Sequence, residues 1–273
     1  MKTKVWLENL KFIPETDSKT PSLLFLHGTN HGAWCWEEHF LPYFSKNGYP
    51  SYAVSYRGHG KSEGGEKINS FSLDDYVRDV ISTINQLKIQ PVLIGHSMGG
   101  AIAQKILNSC PNKIKAVVLL ASVSPFGMLN DYLKLLIRHY GKCAQLNSFN
   151  KGQNVPYPSD LFLSNEISRE RLEHFVQQMQ PESRKVMLGL LKRIVPKTMV
   201  TDIPILVLGS NKDKIFTVRT CKSTAMFYKV KPIILPNLSH DMMLDANWYK
   251  AAEVILHFIQ KISADETIRG DSE

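Results

Sequence analysis

Cysteine is scarce in this 273-residue chain: Cys35, Cys110, Cys143 and Cys221 are the only four, and no two stand in a C-x-x-C spacing. That pattern excludes a thiolate zinc site and a disulfide framework, and a reducing cytosol is the simplest home for it. Cys35, between Trp34 and Trp36, reads as a packed side chain rather than a reactive one. Long apolar runs are missing as well. None approaches the roughly 18 residues needed to span a bilayer, so the expectation is a soluble, cytoplasmic protein. The start Met1-Lys2-Thr3-Lys4 has the charge of a signal-peptide n-region, but the apolar stretch after it breaks at Glu8. No nucleic-acid-binding motif is present, and the cations are not interleaved with aromatics in a compact patch, which argues against a nucleic-acid partner.

Acidic residues are in deficit, with 33 Lys and Arg against 25 Asp and Glu and a net charge of +8. Residues 125–200 hold 11 Lys and Arg against 6 Asp and Glu, so +5 of that excess lies there. Such a segment is either a solvated helical surface or one drawn to anionic amphiphiles, which would give peripheral membrane contact.

What the chain does contain is a regular alternation. Short runs of Leu, Val and Ile, bounded by Gly, Pro, Asn or Ser, occur at Leu23–Leu26, Tyr52–Val54, Val92–Ile94, Ala116–Leu120, Ile205–Leu208 and Ile233–Leu235. These read as buried parallel strands. Val5–Leu7 and Lys11–Ile13 suggest an antiparallel hairpin at the sheet edge. Between the strands fall helical stripes: Leu73, Tyr76, Val77, Val80, Ile81, Ile84 and Leu87, opened by a capping box at Ser72 and Asp75, and a second stripe from Trp248 to Ile259. The alternation predicts an α/β protein with a doubly wound, mostly parallel sheet. Residues 125–200 break it with helical segments at Asp131–Tyr140, Ser168–Gln180 and Ser183–Val195, and a polar stretch at Asn147–Asp160. The predicted organisation is a core of residues 1–124 and 201–263, a helical cap insertion at 125–200, and a frayed tail at 264–273.

Within this frame, Gly95-His96-Ser97-Met98-Gly99 is a G-x-S-x-G motif between an apolar strand and a small-residue helix. A sharp strand-to-helix turn projects the serine hydroxyl from the carboxyl edge of the sheet. A serine needs a base, and the base needs a carboxylate to hold its tautomer. Two later strands end in such residues: Asp213 follows Ile205–Leu208, and His240 follows Ile233–Leu235. Ligands of open α/β sheets bind outside the carboxyl ends of the strands, where Ser97, Asp213 and His240 should converge. Asp241 and Asp245 are alternative acids, although Asp241 adjoins the histidine and Asp245 suits an N-cap of the last helix. His96 and His59 read as turn and packing residues, and His27 and His31 as residues that shape the loop after the Leu23–Leu26 strand. Backbone N–H groups of Met98 and Thr29 are the candidate oxyanion donors. Gly28 is expected to permit that loop's conformation.

His27-Gly28, Arg57-Gly58-His59-Gly60-Lys61-Ser62, Gly95 to Gly100, Asp213 and His240 together resemble the α/β-hydrolase superfamily, in its single-domain, cofactor-free serine esterase and lipase-like branch. His31-Gly32-Ala33-Trp34-Cys35-Trp36 is similar to the plant hydroxynitrile lyase and methylesterase branch, which lacks the Arg-Gly-His-Gly turn. Dehalogenases and epoxide hydrolases of the superfamily carry aspartate where this chain has Ser97. The resemblance implies a Ser-His-Asp hydrolase of small or lipid-like carboxylic esters, with no cofactor or metal. C–C bond, thioester, perhydrolase or lyase chemistry on the same triad, or a non-catalytic ligand-binding receptor, would also keep these motifs. Met128, Leu129, Phe162, Phe175 and Met179 are candidates to line an acyl pocket.

Overall fold

Six apolar runs too short for helices, each closed by turn-forming residues, become six parallel strands. In a computed structural model, which describes residues 5–15, 18–19, 21–198 and 201–270 (without the side chains of 265–270), they are β2 (Leu23–Leu26), β3 (Ser51–Val54), β4 (Val92–His96), β5 (Ala116–Leu120), β6 (Ile205–Ser210) and β7 (Pro232–Leu235). With β1 (Asn9–Phe12) they form one sheet in the order β1-β3-β2-β4-β5-β6-β7. Every residue of β2, β4, β5 and β6 is buried, as strands covered on both faces must be. Pro232, which has no N–H to offer a ladder, opens the edge strand β7.

The expected N-terminal hairpin does not form. Residues 9–12 make a single strand that pairs antiparallel with β3, Asn9 opposite Val54 and Phe12 opposite Ser51. The 5–8 segment bonds elsewhere: Trp6 N–H donates to Glu63 Oε2 at 2.9 Å and Glu8 N–H to Ser62 Oγ at 2.9 Å. An isolated hairpin is marginal in water, whereas the open edge of β3 offers a row of unpaired backbone groups.

Covering the sheet are α1 (Trp34–Glu37), α2 (Phe40–Lys46), α3 (Leu73–Ile84), α4 (Met98–Ser109), α8 (Val218–Phe227) and α9 (Tyr249–Gly270), and residues 125–198 supply α5 (Leu129–Asn150), α6 (Arg169–Gln178) and α7 (Arg184–Leu190). The capping box at the start of α3 is present. α5 runs ten residues beyond its expected end at Tyr140, with a break in helical geometry at His139 (φ −138°). Its continuation into the predicted loop is held by packing, since Leu146 and Phe149 lie against the core. α9 continues past Ala264, where fraying was expected, to Gly270; residues 271–273 lie outside the described residues. No described helix is long and apolar enough to cross a membrane.

Two buried polar knots tie the pieces together. Arg57 Nε and Nη2 donate to the Asp79 carboxylate at 2.6–3.0 Å, and Arg57 N–H donates to the same group at 3.0 Å, fixing the Arg-Gly-His-Gly turn to α3. Glu182 joins the 125–198 segment to the core: its Oε1 accepts from Tyr76 OH at 2.9 Å, and its Oε2 lies 3.2 Å from His59 Nε2. Asp79→Ala would leave Arg57, which is partly buried, only its 3.4 Å contact to Asp75, and losing the better-placed charged hydrogen bonds costs about 1.5–3 kcal/mol. Urea unfolding followed by circular dichroism should show a loss of that order.

Candidate active site

Ser97 sits between β4 and α4 with φ +52° and ψ −114°. A non-glycine residue there stores about 1–3 kcal/mol of strain, so its surroundings must over-determine it. They do. Ser97 N–H donates to Leu120 O of the neighbouring strand at 3.1 Å, while Ser97 O accepts from Gly100 N–H at 3.1 Å and Val123 N–H at 3.2 Å. The elbow also needs room, because a Cβ on Gly99 would collide with the carbonyl of Leu26 on β2.

After β6, the chain turns so that Asp213 Oδ1 accepts from the N–H groups of Ile215 and Phe216 at 2.8 and 3.0 Å. This carboxylate meets His240 Nδ1 at 3.0 Å through both oxygens. The proton therefore resides on Nδ1, leaving Nε2 with a free lone pair. Burial works against a charged His240 ring, but the Asp213 charge and hydrogen bond, with Asp241, raise its pKa above the ordinary value.

The loop after β2 is held by histidines. His27 Nε2 accepts from Tyr56 N–H at 3.3 Å, so His27 Nδ1 carries the proton it donates to Gly28 O at 2.8 Å. Burial, then the neighbouring His59, push the pKa of His27 well down, which matches this neutral form. Because the Gly28–Thr29 peptide is planar and trans, pinning its carbonyl also sets the direction of Thr29 N–H. Gly28 is required for a different reason from the one expected. Its φ is not left-handed, but a Cβ would lie 2.8 Å from His96 Nδ1 and 3.2 Å from Ser97 Cβ. Met98, the first residue of α4, is buried, and the N–H groups of a helix's first turn have no intrahelical acceptor.

Ser97, His240 and Thr29 open onto one cavity of about 330 Å³. Of the residues expected to line it, Met128 and Phe162 do so. Leu129, Phe175 and Met179 are not among its walls: Leu129 is 48% exposed on α5, while Phe175 is buried beside Trp34. The walls come instead from α5 (Tyr132, Leu135 and Leu146) and from Met187, Leu191 and Phe216. The α5 set is spaced at three and eleven residues along one stripe, a signal present in the sequence. Phe216 carries no such signal, because only the Asp213 turn brings it to the cavity.

The alternative acids are both buried and differently engaged. Asp245 accepts from Ser239 N–H and Oγ–H at 2.8 and 2.6 Å and from Asn247 N–H at 2.9 Å. It braces the loop before α9 rather than capping that helix, which begins four residues later. Asp241 faces His31 Nε2 at 3.2 Å. His96, His240 and Asp241 offer potential metal-ligating atoms within 4.8 Å of one another. Their protein partners already account for much of this closeness: His96 Nε2 lies 3.1 Å from the His240 carbonyl, and His240 Nδ1 is on Asp213.

Residues 17–247 match the family described as Serine aminopeptidase, S33. The chain belongs to this family. It is an α/β-hydrolase of the esterase and lipase type, as its curated relatives and the fold both indicate. The pFDCC methylesterase MES16 of Arabidopsis thaliana is 26% identical to this hydrolase over 184 residues, covering 66% of this chain and 67% of that protein. A Mycoplasma genitalium protein described as an esterase/lipase is 28% identical over 213 residues, covering 70% of this chain and 77% of its own. Among solved structures, the Paleococcus ferrophilus monoacylglycerol lipase superposes with a TM-score of 0.71 at 20% identity, covering 95% of this chain and 99% of that one. At that identity the likeness speaks for the fold.

The His240 environment makes a signed prediction. Asp213→Asn removes the charge that raises the ring's pKa and leaves the burial that lowers it, so the pKa should fall below the ordinary 6.5. Ring-proton NMR titration of the two proteins checks this. By linkage, the stability that protonated His240 contributes in the wild type is fully present below the unfolded pKa and is lost as pH rises through the raised folded value.

Proposed function

We propose that this hydrolase cleaves carboxylic esters through an acyl-enzyme on Ser97. The observation that carries the reading is that Ser97, on its strained elbow, opens onto the same cavity as His240, whose other ring nitrogen is held by Asp213. His240 Nε2 takes the Ser97 proton as Oγ attacks the ester carbonyl, and Asp213 stabilises the resulting imidazolium. The N–H groups of Met98 and Thr29 receive the oxyanion. His240 returns the proton to the departing alcohol, then activates a water that releases the acid. Because the neutral ring is the base, activity should rise as pH climbs through the raised His240 pKa.

A largely apolar chamber favours an acyl chain over a charged group. An aminopeptidase would also need a carboxylate free to bind a substrate ammonium. Glu182, the one carboxylate among the described residues that line the cavity, is already engaged by Tyr76, Ser183 N–H and His59. Esters are therefore the better-supported substrates. Ser97→Ala should lose at least about 10³-fold in turnover of p-nitrophenyl acyl esters and all labelling by a fluorophosphonate. A wild-type protein that fails to label, or an active Ser97→Ala variant, would sink the reading. Labelling without ester or thioester turnover would point instead to C–C bond or lyase chemistry.

Such substrates arrive from an anionic amphiphile surface. α5 lines the cavity with one face and leaves Leu129, Leu133, Ile137 and Tyr140 exposed along another, Ile137 by 85% and Tyr140 by 74%. Lys134 and Arg138, exposed on the same helix, complement an anionic surface. They would repel the same face of a second copy. Wild type should sediment with phosphatidylglycerol-containing vesicles more than with neutral ones, and Leu133→Asp/Ile137→Asp should not. Equal sedimentation of the two proteins, or a wild-type dimer in light scattering that this substitution abolishes, would refute the surface.

A further inference from the structure

Asp241 is fully buried, and the mechanism does not use it. No lysine or arginine pairs with it among the described residues, and neither of its oxygens meets a well-aligned hydrogen-bond donor. Two histidine rings face it instead: His31 Nε2 at 3.2 Å and His96 Nε2 at 3.7 Å. A carboxylate removed from water this completely must be compensated or protonated. Burial pushes its pKa up, but the charge of His31 at 3.2 Å, followed by His96 and His240, brings it below the ordinary carboxylate value.

The two histidines divide the work. His96 Nε2 donates to the His240 carbonyl at 3.1 Å, and burial, then His240, hold its pKa down at about 3, so its ring is neutral. His31 faces acceptors through both nitrogens: Nδ1 donates to Thr29 O at 2.7 Å, and Nε2 faces the Asp241 carboxylate.

We propose that Asp241 and His31 form a second, buried acid–histidine pair that positions the oxyanion loop against the loop carrying the catalytic histidine. Asp241 follows His240 directly, and its own N–H donates to the carbonyl of Phe162 in the cavity wall at 3.0 Å. On the other side His31 pins the Thr29–Asn30 peptide, while His27 pins the Gly28–Thr29 peptide. Asn30 between them sits at φ +65°, a conformation that needs such restraint. Thr29 N–H is thus aimed by the peptide bonds on both sides of its residue, one of them anchored through His31 to the residue beside His240. His31 and Asp241 touch neither substrate nor the reacting atoms; they are positioning residues. The proposal rests on Thr29 N–H serving the oxyanion. A donor used in the transition state and little in the ground state affects kcat rather than KM when it is misaimed.

The test uses Asp241→Asn, His31→Asn and the double variant in the full chain. The expected result for each is kcat lowered about 10- to 100-fold with KM within about threefold of wild type, and fluorophosphonate labelling slowed in parallel. The double variant should be no slower than the slower single one, as members of one unit are non-additive. Nitrogen-15 NMR of the ring should show His31 Nδ1 protonated in wild type and the Nε2 resonance displaced in Asp241→Asn. If Asp241→Asn does not fold, His31→Asn and the wild-type ring spectrum decide. An unchanged kcat in a folded variant, a loss carried by KM, additive losses, an unprotonated His31 Nδ1 in wild type, or an Nε2 resonance unmoved by Asp241→Asn would each overturn the pair. A dead Ser97→Ala beside a fully active Asp241→Asn would overturn the pair alone, whereas an active Ser97→Ala would overturn the serine mechanism itself.

Discussion

The site depends on one constrained peptide unit, the backbone of Ser97 at the crossing of β4 and α4. Its φ of +52° is affordable only because β5 accepts its N–H, Val123 and Gly100 donate to its carbonyl, and Gly99 lets α4 approach β2. Move any of these and the hydroxyl leaves the cavity. The strain is thus held by sheet pairing, the stiffest part of the molecule, and the serine is presented in one orientation rather than an ensemble.

Around that peptide the chain buries an unusual density of ionisable groups. His27, His31, His59, His96, His240, Asp213, Asp241 and Glu182 are all buried close to the strand ends. Each of the histidines has a backbone carbonyl or a carboxylate facing a ring nitrogen. Low dielectric makes these arrangements stiff as well as costly to break. His240 is pushed up by Asp213, whereas His96, a ring away at 4.8 Å, is pushed down by burial and by His240 itself. Two adjacent imidazoles thereby acquire opposite protonation preferences, which leaves one of them to serve as a base.

The 125–198 segment is not a loosely attached lid. Asn30 Nδ2 donates to Asn150 Oδ1 at 2.6 Å and to Gln180 O at 2.8 Å, Gly60 N–H donates to Gln180 Oε1 at 2.7 Å, and Glu182 reaches Tyr76 and His59. These contacts fall on the loop after β2, on the Arg-Gly-His-Gly turn and on α3, so the walls of the cavity and the loop bearing Thr29 are braced by the same polar contacts.

Much of this was legible in the one-dimensional pattern. Period and turn chemistry are local, and they marked all six parallel strands, the capping box at Ser72, and the three strand-end residues Ser97, Asp213 and His240. They could not reveal which open edge a segment would choose, so the 5–13 region reads as a hairpin while β3 captures it instead. They also could not predict which apolar side chains face a cavity. Phe175 and Met179 have the same periodicity as Met187 and Leu191, and only the docking of the helices separates core from wall. The pairing of Asp241 with His31 joins residues 210 positions apart. Chain-local chemistry determined what each strand end carries; long-range packing alone decided which of those groups meet, and therefore which protons they keep.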